Sequence, residues 1–331
     1  RKDMADICGD DLPQVSQSAT FINNFFYYSS NMKKILIFAF ALIMLLSIAS
    51  PMASAQNVDV GLYILNLGKF DISTGSFTAD FYFSMKCEDT CSDFEFVNGR
   101  ASSVDKITDE PNEKFYRIQA ALNSPVDLKA FPFDSQKMQI ILEDKANTID
   151  KLVYVPDNEQ SGIDDSIAFT GWNIDGWTTE VKEHYYKPYD ETYSQYIFNV
   201  DISRIAFNSF LKTFLPVFFI MMVTMFSFVL DPDKITTRLG MAGSSLVAAV
   251  MFHIAISSQI PPVGYLTLAD KFMVLTYFIL LVTFILNVIM LELHETKQEA
   301  KLMKMHRLSE FSMLGIVPLI YVIFFVFAFI F

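Results

Sequence analysis

Cysteine, tryptophan and histidine are scarce in this chain, at three, two and four among 331 residues. Three cysteines cannot build a disulfide framework or a four-cysteine zinc knuckle. The four histidines never fall in an HExxH arrangement, and neither a Gly-x-Ser-x-Gly elbow nor a phosphate-cradling glycine loop occurs. No enzymatic activity is therefore expected, and no cofactor or metal is implied. Basic residues are outnumbered, 25 Lys and Arg against 37 Asp and Glu, which argues against nucleic acid as a partner. Internal repeats are missing too, which disfavours a transporter built from duplicated halves.

What the chain has in excess is apolar mass. It carries 33 phenylalanines, and its mean hydropathy is +0.32. That points to a membrane protein with a soluble part. The acidity is segregated: residues 56–204 hold 26 acidic against 13 basic residues, whereas residues 205–331 hold 7 against 8. An acidic domain beside a membrane raises the local cation concentration. Met32-Lys33-Lys34, the apolar run Ile35–Ala49 and Ala53-Ser54-Ala55 together have the form of a secretory signal peptide. Residues 32–55 are expected to be removed before Gln56, an uncut signal anchor being the alternative; residues 1–31 are expected to be an upstream extension. Cys87 and Cys91 then lie in an oxidising compartment, where a local disulfide is expected.

From Val58 to Arg204 the pattern is β. Val58, Val60, Leu62 and Ile64 alternate with Asp59, Gly61 and Tyr63, and Phe77 to Met85 alternates likewise. Turn signals recur between these runs, as an immunoglobulin-like β-sandwich over 56–204 requires. After Arg204 come four apolar segments: Thr213–Leu230, Leu239–Ala269 cut by Pro261-Pro262-Val263-Gly264, Phe272–Leu291 and Phe311–Phe331. The fold class is thus a β + α membrane protein, a sandwich followed by a four-helix transmembrane bundle over 205–331. Lys234 and Arg238 lie between the first and second segments, and Lys297, Lys301, Lys304 and Arg307 between the third and fourth. The connector between the second and third has no basic residue, so the basic loops belong in the cytoplasm, with the sandwich and chain end outside.

One string is more specific than any of this. Ser124–Met138 reads S-P-V-D-L-K-A-F-P-F-D-S-Q-K-M, a loop whose Phe131-Pro132-Phe133 tip is stiff and needs an apolar surface to rest on. It resembles the signature loop of the pentameric ligand-gated ion channels, the Cys-loop superfamily, with pattern C-x-x-D-[VIL]-x-x-[FY]-P-F-D-x-Q-x-C. Asp127, Leu128, Phe131, Pro132, Phe133, Asp134 and Gln136 fall on it, while Ser124 and Met138 replace the two cysteines, as in prokaryotic members.

The resemblance implies a homopentamer in a lipid bilayer, here a bacterial inner membrane with the sandwich in the periplasm. The pore is then lined by the second helix. Gly240, Ser244, Val247, Met251, Ile254 and Ser258 share one helical face, small below and apolar above, which suits a gate that expels water. Without the family context, small residues on a membrane helix would mean close packing. Asp233, Thr237 and Arg238 are expected at the pore mouth. Two threonines stand where cation channels place Glu before the basic residue, and the Pro-Ala of anion channels is missing. The acidic sandwich favours monovalent cations; an anion channel and a non-conducting periplasmic sensor are the alternatives.

Arg204 matches the arginine that leads into the first helix in this family. It is expected to pair with Asp134 and with Asp71 of the first hairpin turn, beside Phe133 and the connector residues Pro261, Pro262 and Tyr265; plain anchoring at the lipid interface is the simpler role. A ligand site is expected around Tyr185, Tyr186, Tyr189 and Tyr193, with Phe94 and Phe96 opposite, for a small amine or aromatic agonist. Protons are the other agonist, through His184 or His253.

Overall fold

The computed structural model describes residues 55–330, together with residues 37 and 38. The expected extension (1–31) and signal segment (32–55) lie outside the described residues, apart from residues 37, 38 and 55.

The described residues form ten strands, with buried and exposed positions alternating most clearly in β2 and β5: β1 (Gln56–Leu67), β2 (Ser76–Cys87), β3 (Phe94–Phe96), β4 (Gly99–Asp109), β5 (Glu113–Asn123), β6 (Ser135–Asp144), β7 (Leu152–Pro156), β8 (Gly162–Ile163), β9 (Trp172–Tyr186) and β10 (Glu191–Arg204). They form two sheets. One runs β4-β5-β2-β1-β7, with β8 also on β1; the other runs β3-β6-β10-β9. Val58, Val60, Leu62, Phe81 and Phe83 of the first sheet meet Met138, Ile140, Tyr196 and Phe198 of the second in one buried core. Burying such side chains contributes about 1.5–3 kcal/mol each, which is what holds the sheets face to face. Cys87 and Cys91 are disulfide-bonded at the end of β2.

Among the described residues, four helices are long and apolar enough to cross a membrane. They are α1 (Ala206–Ser227), α2 (Ile235–Ser257), α3 (Leu268–Glu295) and a last span made of α4 (Glu299–Phe311), a π turn (Ser312–Ile316) and α5 (Val317–Ile330). Helix α1 continues through Pro216. Thr267 and Asp270 form a reciprocal capping box at the start of α3, which fixes where the connector from α2 ends.

The last span departs from expectation. Instead of a loop of about 20 residues before Phe311, only Thr296–Gln298 separates α3 from α4. The stretch Glu299–Phe311 is rich in Glu, Ala, Leu, Met and Lys, strong helix formers that continue the helix outward from the apolar segment.

Candidate functional site

The sandwich and the helices meet at Arg204, the last residue of β10. Its Nε donates to Asp134 Oδ1 at 2.5 Å, and Asp134 is 1% exposed. Gln136 Nε2 donates to the other oxygen of Asp134 at 2.7 Å and to Asp127 O at 2.7 Å, tying both ends of the loop together. The Arg204 guanidinium lies between the rings of Trp172 (4.5 Å) and Phe131 (5.1 Å). Two aromatic faces and one carboxylate thus hold a cation that is largely shielded from water.

The same loop is bonded to the connector after α2. Leu268 N donates to Lys129 O at 2.9 Å, Ala269 N to Phe131 O at 3.0 Å, and Leu128 N to Tyr265 Oη at 2.9 Å. Leu128 and Phe131 pack with Ile256 of α2 and Ala269 of α3, with Ile260 and Val263 against them. Hydrogen bonds from Lys129 hold the Asp127 carboxyl below the usual carboxylate range.

One expectation at this seam needs correction. Asp71 does not serve Arg204: its carboxylate accepts from Ser73 N (2.9 Å) and Ser73 Oγ (2.7 Å), closing its own turn. Phe133 stacks on Phe214 of α1, at 5.8 Å, and Phe131 takes the connector side. The tip of the loop therefore touches three helices, α1, α2 and α3. Within the connector Pro261 is half-buried and Pro262 exposed.

On α2 Gly240, Ser244, Val247, Met251 and Ile254, and at its C-cap Ser258, are all exposed, the three apolar ones at 59–64%. The opposite face, Ile235, Arg238, Ala242, Ser245, Ala249 and Ile256, is buried. Arg238 is the exception to the expected pore mouth. It is 0% exposed, its guanidinium lies 4.6 Å from the Phe228 ring, and Nη1 is 3.2 Å from His306 Nδ1. It belongs to the packed face because it stands four residues before Ala242 and seven before Ser245. Asp233 is exposed and paired with Lys234 at 3.1 Å, and Thr237 is exposed. His253 bridges α2 to α3, with Nδ1 2.9 Å from Tyr277 Oη and Nε2 2.9 Å from Asp270 Oδ1.

The aromatic residues expected to bind ligand are only partly brought together. Phe94, Phe96 and Tyr186 line one open cleft of about 560 Å³ with Glu95, Arg100 and Lys145. Phe94 and Phe96 also pack inward, on Phe83 and Phe81. Tyr185 and Tyr189 are 54% and 73% exposed; the Tyr185 and Tyr193 hydroxyls donate to Asp190 and Glu191, and the Tyr193 ring meets Tyr186 edge-on at 5.7 Å. The residue missed in the sequence is Glu143. It is 2% exposed and is bonded by His184 Nδ1 (2.6 Å), Gln195 Nε2 (2.5 Å) and Tyr186 Oη (2.8 Å). This anchors the β9–β10 hairpin. Burial and the bond to Glu143 push the Tyr186 hydroxyl up to about 12. Nothing in the alternation of β6 separates Glu143 from a surface acid; the hairpin that covers it is distant in sequence.

No family model matches the chain. It is 27% identical over 183 residues to a proton-gated ion channel of Gloeobacter violaceus, covering 54% of this chain and 50% of that one. It is 20% identical over 289 residues to ligand-gated ion channel 50 of Caenorhabditis elegans, covering 76% of this chain and 58% of that one. The chain spans about half the length of the first of these relatives.

Proposed function

We propose that this relative of the gated ion channels is itself a gated channel, in which the sandwich over 56–204 senses a ligand or protons and residues 205–331 form the pore. Both relatives are channels rather than enzymes, and the two-sheet β domain followed by four membrane-capable helices is the architecture of the pentameric ligand-gated channels. The chain is a multi-pass membrane protein. The observation that carries the gating reading is the loop Ser124–Met138. One end is held by Arg204, and its backbone is bonded to the first residues of α3, so a shift of the sandwich is passed to the connector that follows α2.

Five copies of the exposed face of α2 would surround an axis, with Val247, Met251 and Ile254 as apolar rings that open by wetting. Thr237 and Asp233 would stand at the inner mouth. The acidic sandwich favours monovalent cations. The agonist is a proton or a small amine or aromatic compound, the latter received by Phe94, Phe96 and Tyr186, with Tyr185, Tyr189 and Tyr193 on the covering hairpin. The membrane is a bacterial inner membrane, with the sandwich in the periplasm.

Voltage-clamp recording during pH steps and application of amines tests conduction. Val247→Ser is expected to increase current at rest or to lower the agonist dose by roughly tenfold, because a hydroxyl ring wets the constriction. Unchanged current in that variant removes α2 from the pore. Bi-ionic reversal potentials test the cation preference, and a reversal that follows chloride overturns it.

A further inference from the structure

A second cleft, of about 590 Å³, opens where the segment after β8 crosses the start of β9. It takes no part in the reading above. Both tryptophans of the chain, Trp172 and Trp177, line it together with Phe169, and Asp164, Asp165 and Asp175 stand among its walls. Arg204 stacks on Trp172, which Phe70 also meets edge-on at 6.0 Å, and Phe198 stacks on Trp177; both indoles are half-buried and line the cleft with the part left uncovered. Trp172 already acts as a platform for one cation.

The charge around the cleft has one sign. Between Lys151 and Lys182 the chain has no Lys, Arg or His, but six acidic residues. Among the described residues, none of the three cleft aspartates is ion-paired: Asp164 accepts from Ser166 N at 2.9 Å, Asp175 accepts from Ser203 Oγ at 3.0 Å, and Asp165 is exposed. Asp175 is also the extra residue of a bulge, since Gly176 pairs with Asp201 and Ile174 with the next residue, Ile202. A bulge re-aims a side chain out of the regular alternation.

Carboxylates beside indoles in an open cleft recognise a large, weakly hydrated cation better than a metal ion. Consistent with this, no group of three metal-ligating side chains occurs among the described residues. We infer that this cleft binds an organic ammonium group through Trp172, Trp177 and the flanking Asp165 and Asp175. Because β9 is 15 residues long, Trp172 and Tyr186 stand at its opposite ends, roughly 45 Å apart, so this site is distinct from the hairpin cleft. It adjoins the Arg204 seam, and an occupant that shifts Trp172 acts directly on the pairing of Arg204 with Asp134.

An ammonium can come from a soluble amine or from a lipid headgroup, and tryptophan emission separates them because both indoles of the chain lie in this cleft. The full chain is placed in phosphatidylglycerol nanodiscs, which carry no ammonium, and titrated with choline or its neutral isostere 3,3-dimethylbutan-1-ol. Saturable change with choline, with the isostere about tenfold weaker, is the expected result for a charge-dependent aromatic site. The same change on exchanging phosphatidylglycerol for phosphatidylethanolamine, without choline, assigns the lipid as the source. Asp165→Asn with Asp175→Asn keeps the Ser203 bond and is expected to weaken either response about tenfold. Emission unchanged in both arms, an isostere as effective as choline, or a double variant that binds like the parent overturns the site. No current is needed for this readout, so it fails or stands independently of conduction.

Discussion

Asp134 is a carboxylate with 1% of its surface exposed, so its energetic value depends on its partner. Replacing it with Ala leaves the Arg204 guanidinium, 16% exposed, among aromatic rings without a counter-ion. That is expected to cost about 3–5 kcal/mol, whereas Asp134→Leu with Arg204→Met is expected to cost less than the sum of the single changes. Denaturant unfolding followed by near-ultraviolet circular dichroism measures both, and additive single costs would show that the two side chains do not act as a pair. This contact is legible in the sequence because the Phe-Pro-Phe-Asp string and the final Arg before the apolar segments are each distinctive. Asp71 departs from the expected pairing for an equally physical reason. A short acid two residues before a serine closes its own turn, and Ser73 meets that need locally.

Among the elements, α2 shows how far spacing reaches. The small-then-apolar face from Gly240 to Ser258 is the exposed face in the fold, as helical periodicity requires. The same arithmetic places Arg238 with Ala242 and Ser245 on the packed face, where register decides its position and charge does not. In the sheets, alternation finds the strands but not the pairs between them. Arg117 on β5 reaches across to Asp80 on β2, with Nη2 to Oδ2 at 2.8 Å and Nε to Oδ1 at 3.1 Å. Its hydrogen bonds hold the Asp80 carboxyl below its ordinary value of 3.8. A carboxyl depressed by folding contributes stability above its unfolded value, and loses that contribution as pH falls through the folded one. Arg117→Gln is therefore expected to be less stable than the parent at neutral pH, with the gap closing below about pH 4. Urea midpoints taken from pH 7 to pH 3 check the direction, and a gap that widens on acidification would rule out this pair as its source.

For the whole molecule, the division of charge and the placing of basic residues at the α1–α2 turn and along α4 are what support the orientation proposed above. Cytoplasmic loops carry an excess of Lys and Arg, while an acidic domain translocates with little penalty. Tyr189, at the hairpin tip, is 73% exposed, and Lys301 on α4 is also exposed, so each can carry a reporter without disturbing the core. Cys87 and Cys91 are consumed by their disulfide, so a Cys8→Ser background leaves a single added thiol as the target. In intact cells with a permeable outer membrane, Tyr189→Cys is expected to react with a membrane-impermeant maleimide and Lys301→Cys to remain unlabelled until the inner membrane is lysed. The reverse pattern would invert the orientation and place the acidic sandwich in the cytoplasm. Labelling of both in intact cells would mean that an even number of crossings separates them, contrary to the three spans α1, α2 and α3 that lie between Arg204 and Lys301. The experiment therefore tests the count of helices and the charge argument together, without reference to any agonist.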